Sequence, residues 1–139
     1  MLIQPSAAHQ AAKRSLILAG GGMRVAYQAG VLRALEDAQL AFSHVDGTSG
    51  GTMNAAMLFS GLNASQMCAH WSALPIGDFV SFLPLTDYVN PLKLKAMGDA
   101  DGIVNKVFPK LGIDLAKINR SQPACQATFN VCNHSTKQN

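Results

Sequence analysis

The stretch with the clearest capacity for chemistry is a serine set among glycines. Residues 47–51 are Gly-Thr-Ser-Gly-Gly, which fits the pattern Gly-x-Ser-x-Gly with Ser49 at its centre. In such a turn between a strand and a helix the serine hydroxyl projects above the sheet as a nucleophile, and glycine at Gly47 and Gly51 avoids a collision across the turn. The N–H of Gly50 would lie at the helix N-terminus, where a developing negative charge is favoured. The same pentapeptide also fits a plain strand-to-helix turn, so the motif alone allows both interpretations.

A second glycine-rich turn precedes this serine. Three consecutive glycines, Gly20, Gly21 and Gly22, can present backbone N–H groups to an anion at a helix start, with Arg24 in the first turn of that helix. Because the carboxyl ends of parallel strands meet at one edge of a sheet, turns on two successive strands would lie side by side there. We therefore expect one turn to present the nucleophile and the other to supply donors for a tetrahedral oxyanion.

The hydrophobic pattern places both turns in an alternating series of strands and helices. Strands are predicted at the start of 15–22 and over 41–47 and 124–133; helices are predicted over 24–40, 51–61, 63–74 and 101–112, with a short helical turn at 114–119. Asn63 is the predicted cap of the third helix, and Pro109 is predicted to break the fourth. An apolar loop or broken helix is predicted over 76–92. This order predicts an α/β fold with a mainly parallel sheet.

Composition limits the classes of function. The chain has 139 residues, of which 48% are hydrophobic and 14% charged, as in a folded globular domain. A formal net charge of +3, spread along the chain, does not favour nucleic acid as a partner. The odd set of Cys68, Cys125 and Cys132 lacks metal-ligand spacing and predicts free thiols, with no metal. No apolar run approaches the ~20 residues of a membrane span, and no signal peptide is recognisable, so the cytoplasm or a membrane surface is the expected location.

The two turns, in this order and spacing, resemble the start of the patatin-like phospholipase family. The resemblance rests on LILAGGGMRVAYQAGVLRAL followed by VDGTSGGTMNAA, within residues 15–62, and on the later segment IDLAKINRSQPACQATFNV. It implies a three-layer α/β/α fold with a mainly parallel central sheet. Residues 1–14 would be a loose lead-in, and residues 15–139 the N-terminal portion of the acyl hydrolase domain.

The resemblance also implies an activity, that of a serine lipid acyl hydrolase of phospholipase or esterase type. Ser49 would be the nucleophile, Gly20, Gly21 and Gly22 would line the oxyanion hole, and Arg24 would stabilise that turn. Members of the family use a Ser–Asp dyad without a catalytic histidine and form an acyl-enzyme. The implied partner is a lipid or acyl-ester substrate, with peripheral membrane contact as a further expectation, and no cofactor is expected.

The sequence departs from the family's pattern at two points. Glycine usually follows the basic residue of the glycine-rich turn, and here that position is Val25. The family's aspartate lies far downstream in Asp-Gly-Gly or Asp-Gly-Ala. The late Asp101–Gly102 pair is instead followed by Ile103, and we expect Asp101 to cap a helix. We therefore expect the catalytic aspartate to lie beyond residue 139, and residues 1–139 alone to be inactive.

Three other interpretations are compatible with the sequence. A Ser–His–Asp triad would recruit His44, His70 or His134. A nucleotide-binding turn would need the last glycine of Gly-x-Gly-x-x-Gly, which is absent from GGGMRV. A non-catalytic membrane-surface or interaction domain derived from the hydrolase would account for the missing base, and the apolar segment 79–97 would then form a lipid-facing wall or, equally, ordinary core.

Overall fold

The computed structural model describes residues 2–3, 13–79, 102–120 and 125–131. Its strands are β1 (Ser15–Leu18), β2 (His44–Thr48) and β3 (Gln126–Asn130). Its α-helices are α1 (Ala26–Asp37), α2 (Gly50–Phe59), α3 (Ala64–Ala73), α4 (Phe108–Lys110) and α5 (Leu115–Arg120). Two 3₁₀ turns, Gly22–Val25 and Ile76–Phe79, and one π-helical segment, Ile103–Val107, complete the described elements. The rest of the predicted segment 76–92 lies outside the described residues.

The three strands form one parallel sheet in the order β1-β2-β3. Leu18 lies opposite Gly47 at the end of the first pair, and Thr48 lies opposite Asn130 at the end of the second. Parallel neighbours need a crossover connection, and helices supply both crossovers. The predicted α/β fold with a parallel sheet is confirmed.

Helix α2 is the centre of the core and packs against all three strands. Every residue of α2 except Thr52 and Met53 is buried, as its run of small and apolar residues predicts. The helix ends before Gly61, which has the left-handed φ of +89° predicted for a closing glycine. Burying such a helix on all sides fixes the position of its first turn, which directly follows Ser49.

Helix α1 is shorter than predicted at both ends. It begins at Ala26 rather than residue 24, because residues 22–25 form a tighter 3₁₀ turn after the glycines. It ends at Asp37 rather than residue 40, and Gln39 just beyond has a positive φ of 57°, which no α-helix can contain. The chain therefore leaves the glycine turn by way of 3₁₀ geometry.

Strand β2 begins at His44 rather than residue 41. Ala41 and Phe42 are buried on the approach to the strand. The N–H of Phe42 donates to the Leu2 carbonyl at 2.9 Å, so it is not available to a neighbouring strand. Leu2 and Ile3, which fall within the predicted lead-in, are 1% and 5% exposed and join the same core.

The fourth predicted helix ends at Lys110, one residue after Pro109, where a late break was predicted, but Pro109 itself is still helical. The π-helical segment runs directly into α4, and the N–H of Phe108 donates to the carbonyl of Ile103, five residues back. A proline ring crowds the carbonyl four residues before it and offers no N–H. The wider turn just before Pro109 accommodates both effects, so the helix continues to Lys110.

Helix α3 begins as predicted, with Asn63 as its cap. The Asn63 side chain accepts from the Gln66 N–H, and the Gln66 side chain accepts from the Asn63 N–H, each at 2.9 Å. This reciprocal capping box satisfies two amides that the helix cannot pair internally.

Candidate active site

Ser49 occupies a sharp turn between the end of β2 and the start of α2. Its backbone has φ 54° and ψ −126°, a combination that costs a residue with a side chain about 1–3 kcal/mol. Its side chain is exposed and makes no capping hydrogen bond to α2. The side chain at this strained corner is therefore open to solvent and makes no described hydrogen bond to α2.

The glycines on either side of Ser49 are required by close packing. A Cβ on Gly47 would lie 2.9 Å from the Cα of Thr52, and one on Gly51 would overlap the carbonyl of Leu18. Because both obstacles are backbone atoms, no side-chain movement could relieve them. The absence of a side chain lets the first turn of α2 lie directly against the end of β1.

The glycine-rich turn lies beside Ser49, as the parallel sheet predicts. A Cβ on Gly20 would lie 2.9 Å from the Cβ of Ser49 and 3.5 Å from its Oγ. Gly22 has a left-handed φ of 57°, and the N–H of Arg24 donates to the carbonyl of Gly21 at 3.2 Å, which closes the 3₁₀ turn. Arg24 itself is exposed, and no hydrogen bond from its guanidinium to another described residue is seen. Its predicted role at this turn stays a prediction.

Val25 packs against Gly50, which accounts for its place at a position where the family usually has glycine. Val25 is 2% exposed, and its two methyl groups would lie 2.9 and 3.0 Å from a Cβ on Gly50. Such a Cβ would also lie 2.9 Å from the carbonyl oxygen of Gly22. The valine therefore fills space that Gly50, directly after Ser49, leaves open.

The two described histidines are engaged elsewhere. His44 begins β2, whereas Ser49 follows the other end of that strand, and its Nε2 lies 3.0 Å from the hydroxyl of Thr128. His70 on α3 has its Nδ1 2.7 Å from the carbonyl oxygen of Lys110. A carbonyl oxygen can only accept, so this ring nitrogen donates. His134 lies outside the described residues.

Two groups of residues beside the site escaped the sequence analysis. Asn130 on β3 donates to the Asp46 carboxylate at 2.9 Å and to the Thr48 hydroxyl at 3.0 Å, which ties the ends of β2 and β3 together just before Ser49. Asn54 on α2, fully buried, connects helices α1 and α3. The signal for Asn54 was available, since it is the one amide in an otherwise small and apolar helix.

Comparison with known protein families identifies the family of this chain. The model of the patatin-like phospholipase family matches residues 16–139. The chain belongs to this family. No curated protein and no solved structure matches it. Membership of the patatin-like phospholipases supports lipid hydrolysis as the kind of function and a lipid as the kind of substrate.

Among the described residues of this patatin-like chain, the other side chains that could bind a metal or act as nucleophiles form no second site. No cluster of three or more His, Cys, Asp or Glu side chains there could hold a metal ion. Cys68 and Cys125 are free, and burial raises the pKa of the Cys125 thiol, which disfavours its thiolate form. None of the described helices has the length and apolar character needed to cross a bilayer.

Proposed function

We propose that this chain carries the nucleophile and the oxyanion donors of a serine lipid acyl hydrolase of patatin type. The observation that carries the proposal is the strained, exposed Ser49, whose side chain does not cap α2 and lies so near Gly20 that a Cβ there would be 2.9 Å from it. Family membership supports the class of reaction. A surface turn without a catalytic role has no need of backbone strain at a serine, because glycine would adopt the same geometry at lower cost.

The proposed reaction is acyl transfer to water in two steps. Ser49 Oγ attacks the acyl carbonyl carbon while its proton passes to a base, and the carbonyl oxygen becomes an oxyanion. The amides of Gly20, Gly21 and Gly22, with the N-terminus of α2, stabilise that charge. Collapse of the tetrahedral intermediate expels the protonated alcohol and leaves the acyl group on Ser49. Water then attacks this ester, releasing the fatty acid and restoring the hydroxyl.

The base in this proposal is an aspartate beyond residue 139. The described aspartates each have another partner: Asp37 pairs with Arg33, Asp46 accepts from Asn130, Asp78 pairs with Lys110, and Asp114 accepts from the Lys117 N–H. Asp87, Asp99 and Asp101, with the predicted cap role of Asp101, lie outside the described residues. A carboxylate already held in a structural contact is a poor candidate to orient a serine proton, which supports a base elsewhere.

An active-site probe tests the proposal directly. The natural full-length gene product would be treated with a fluorophosphonate, and labelled peptides identified by mass spectrometry. We expect labelling at Ser49, loss of labelling in Ser49→Ala, and full labelling in Ser72→Ala, which removes an exposed serine on α3. Labelling that survives Ser49→Ala would refute the assignment of the nucleophile.

A second candidate function, contact with a membrane surface, is favoured by an exposed apolar stripe. Met23, Tyr27 and Val31 follow one another at four-residue spacing and are 39%, 80% and 42% exposed. Tyr27 and Val31, four residues apart in α1, lie on one face of that helix, and Met23 lies in the 3₁₀ turn directly before it. Contact there would bring a lipid layer close to Ser49.

Vesicle sedimentation separates membrane affinity from turnover. With phosphatidylcholine–phosphatidylserine vesicles, we expect Ser49→Ala protein to bind, and added Tyr27→Ser to weaken binding several-fold. The matched control is Ile76→Ser, which removes another highly exposed apolar side chain outside the stripe, at 71% exposure. Equal losses for both substitutions would contradict a specific contact face.

A further inference from the structure

We propose that Asn54 and Gln28 are positioning residues that hold both ends of the glycine loop, residues 19–25, against Ser49. The inference rests on the proposed function and deepens it, because it names what keeps the oxyanion donors in place. Neither residue touches the reacting atoms. Both act through the backbone of the loop.

Asn54 holds the C-terminal end of the glycine loop directly. Its side chain is fully buried in α2, and its Nδ2 donates to the carbonyl of Val25 at 2.9 Å. That carbonyl belongs to the last residue of the 3₁₀ turn and the cap of α1. A buried amide left unpaired destabilises the fold, so the Asn54 side chain is strongly constrained to this position.

Gln28 carries the connection to the N-terminal end of the loop. The second proton of Asn54 Nδ2 is donated to Gln28 Oε1 at 2.9 Å. Gln28 Nε2 in turn donates to the carbonyl of Ala19 at 2.7 Å, directly before Gly20. One buried amide therefore reaches both ends of the loop, once directly and once through a second amide.

Trp71 fixes the orientation of Asn54 from the other side. Its Nε1 donates to Asn54 Oδ1 at 2.8 Å. With this bond, both protons and the oxygen of the Asn54 amide are used, so a flipped amide would lose all three bonds. The orientation that directs Nδ2 toward the glycine loop is thereby selected by α3.

The consequence is a specific effect on the chemical step. Oxyanion donors are effective only when they are held in advance at hydrogen-bond distance from the developing charge. A displacement of about 1 Å can cost on the order of a hundredfold in rate. If the two amides only stabilised the fold, their loss would lower stability without changing the reactivity of Ser49 in the folded fraction.

Labelling kinetics with the fluorophosphonate distinguish these roles. Gln28→Met keeps the side-chain length and removes both of its hydrogen bonds, and Gln28 is only partly buried, so the variant should fold. We expect its maximal inactivation rate, kinact, to fall about tenfold or more, with the concentration at half-maximal rate, KI, changed less than twofold. Asn54→Ala should show a larger loss, and Gln28→Met keeps the test valid if that variant does not fold.

Ser60→Ala is the control for stability alone. Ser60 is a buried polar residue at the opposite end of α2, where its hydroxyl donates to the Ala56 carbonyl and accepts from the Asp114 N–H. We expect this variant to lose thermal stability and to keep the kinact of the unsubstituted protein. An unchanged kinact in folded Gln28→Met, or an effect on KI alone, would overturn the positioning role while leaving the proposed function intact. Absence of labelling in the unsubstituted protein would instead overturn the proposed function, and this inference with it.

Discussion

Ser49 adopts a backbone conformation that residues with a side chain disfavour. A backbone with φ 54° and ψ −126° suits glycine, yet a residue with a Cβ occupies it. The burial of α2 on all sides and the parallel strand before it hold the turn in this geometry. Strain that the surroundings maintain is frequent at catalytic nucleophiles, because it directs the hydroxyl away from the backbone.

Relief of this strain should be measurable as stability. We expect Ser49→Gly to be more stable than Ser49→Ala by about 1–3 kcal/mol in urea or thermal unfolding, since glycine alone adopts this backbone freely. Gln39, with φ 57° just beyond the C-terminal end of α1, provides the comparison. There the stability of Gln39→Gly should exceed that of Gln39→Ala by roughly 1–2 kcal/mol. Equal stability of the two Ser49 variants would contradict the strained turn.

Gly20 and Gly30 should respond oppositely to alanine. A Cβ at Gly20 meets the side chain of Ser49 at 2.9 Å, whereas one at Gly30, inside α1, meets nothing within 4 Å. We expect Gly20→Ala to fold and to label with fluorophosphonate about tenfold more slowly or worse, because it crowds the nucleophile. Gly30→Ala should gain roughly 0.5–1 kcal/mol of stability and label normally. Normal labelling of Gly20→Ala would show that the glycine turn does not face the hydroxyl.

At the scale of the elements, the strands and the longer helices follow from local sequence signals. The run before the glycines, the small-residue helix α2 and the cap at Asn63 are each encoded within a few neighbouring residues. The 3₁₀ turn at 22–25 and the π-helical segment before Pro109 were not predicted. Both are defined by the spacing of their backbone hydrogen bonds, which the periodicity of hydrophobic residues does not reveal.

In the candidate site, too, some features follow from neighbouring residues in the sequence, and others exist only after distant elements pack together. Ser49 and the glycines were predicted from types and spacing that a nucleophile turn requires. The link from Asn54 to Gln28 joins residues 26 positions apart on different helices, and their pairing exists only once those helices pack. The proximity of Gly20 to Ser49 lies between these cases, since parallel pairing of β1 and β2 is sufficient to predict it.

The cap of helix α3 should make a measurable contribution to stability. We expect Asn63→Ala to lower the free energy of unfolding by about 1 kcal/mol, because the Gln66 N–H loses its acceptor at a helix start. Thermal unfolding measures the effect, and Ser72→Ala in the same helix is the control, with no comparable loss expected. Stability equal to that of the unsubstituted protein would show that the capping box contributes nothing measurable.

At the scale of the whole molecule, the proposal assigns the base to an aspartate beyond residue 139. We expect this segment alone to release no p-nitrophenol from a p-nitrophenyl ester above the rate of its Ser49→Ala variant, because an unassisted hydroxyl is a weak nucleophile. The natural full-length gene product should hydrolyse the same ester. Ser49-dependent turnover by residues 1–139 at the full-length rate would place the base within the segment instead.

The central claim is that two glycine-built turns direct one hydroxyl and several amides at the same carbonyl. A crystal structure of the full-length protein inactivated by a fluorophosphonate tests it most directly. We predict phosphorus bonded to Ser49 Oγ, with the phosphonyl oxygen about 2.7–3.1 Å from at least one backbone nitrogen among Gly20, Gly21 and Gly22. An adduct on another residue, or a phosphonyl oxygen directed away from those amides, would contradict the account.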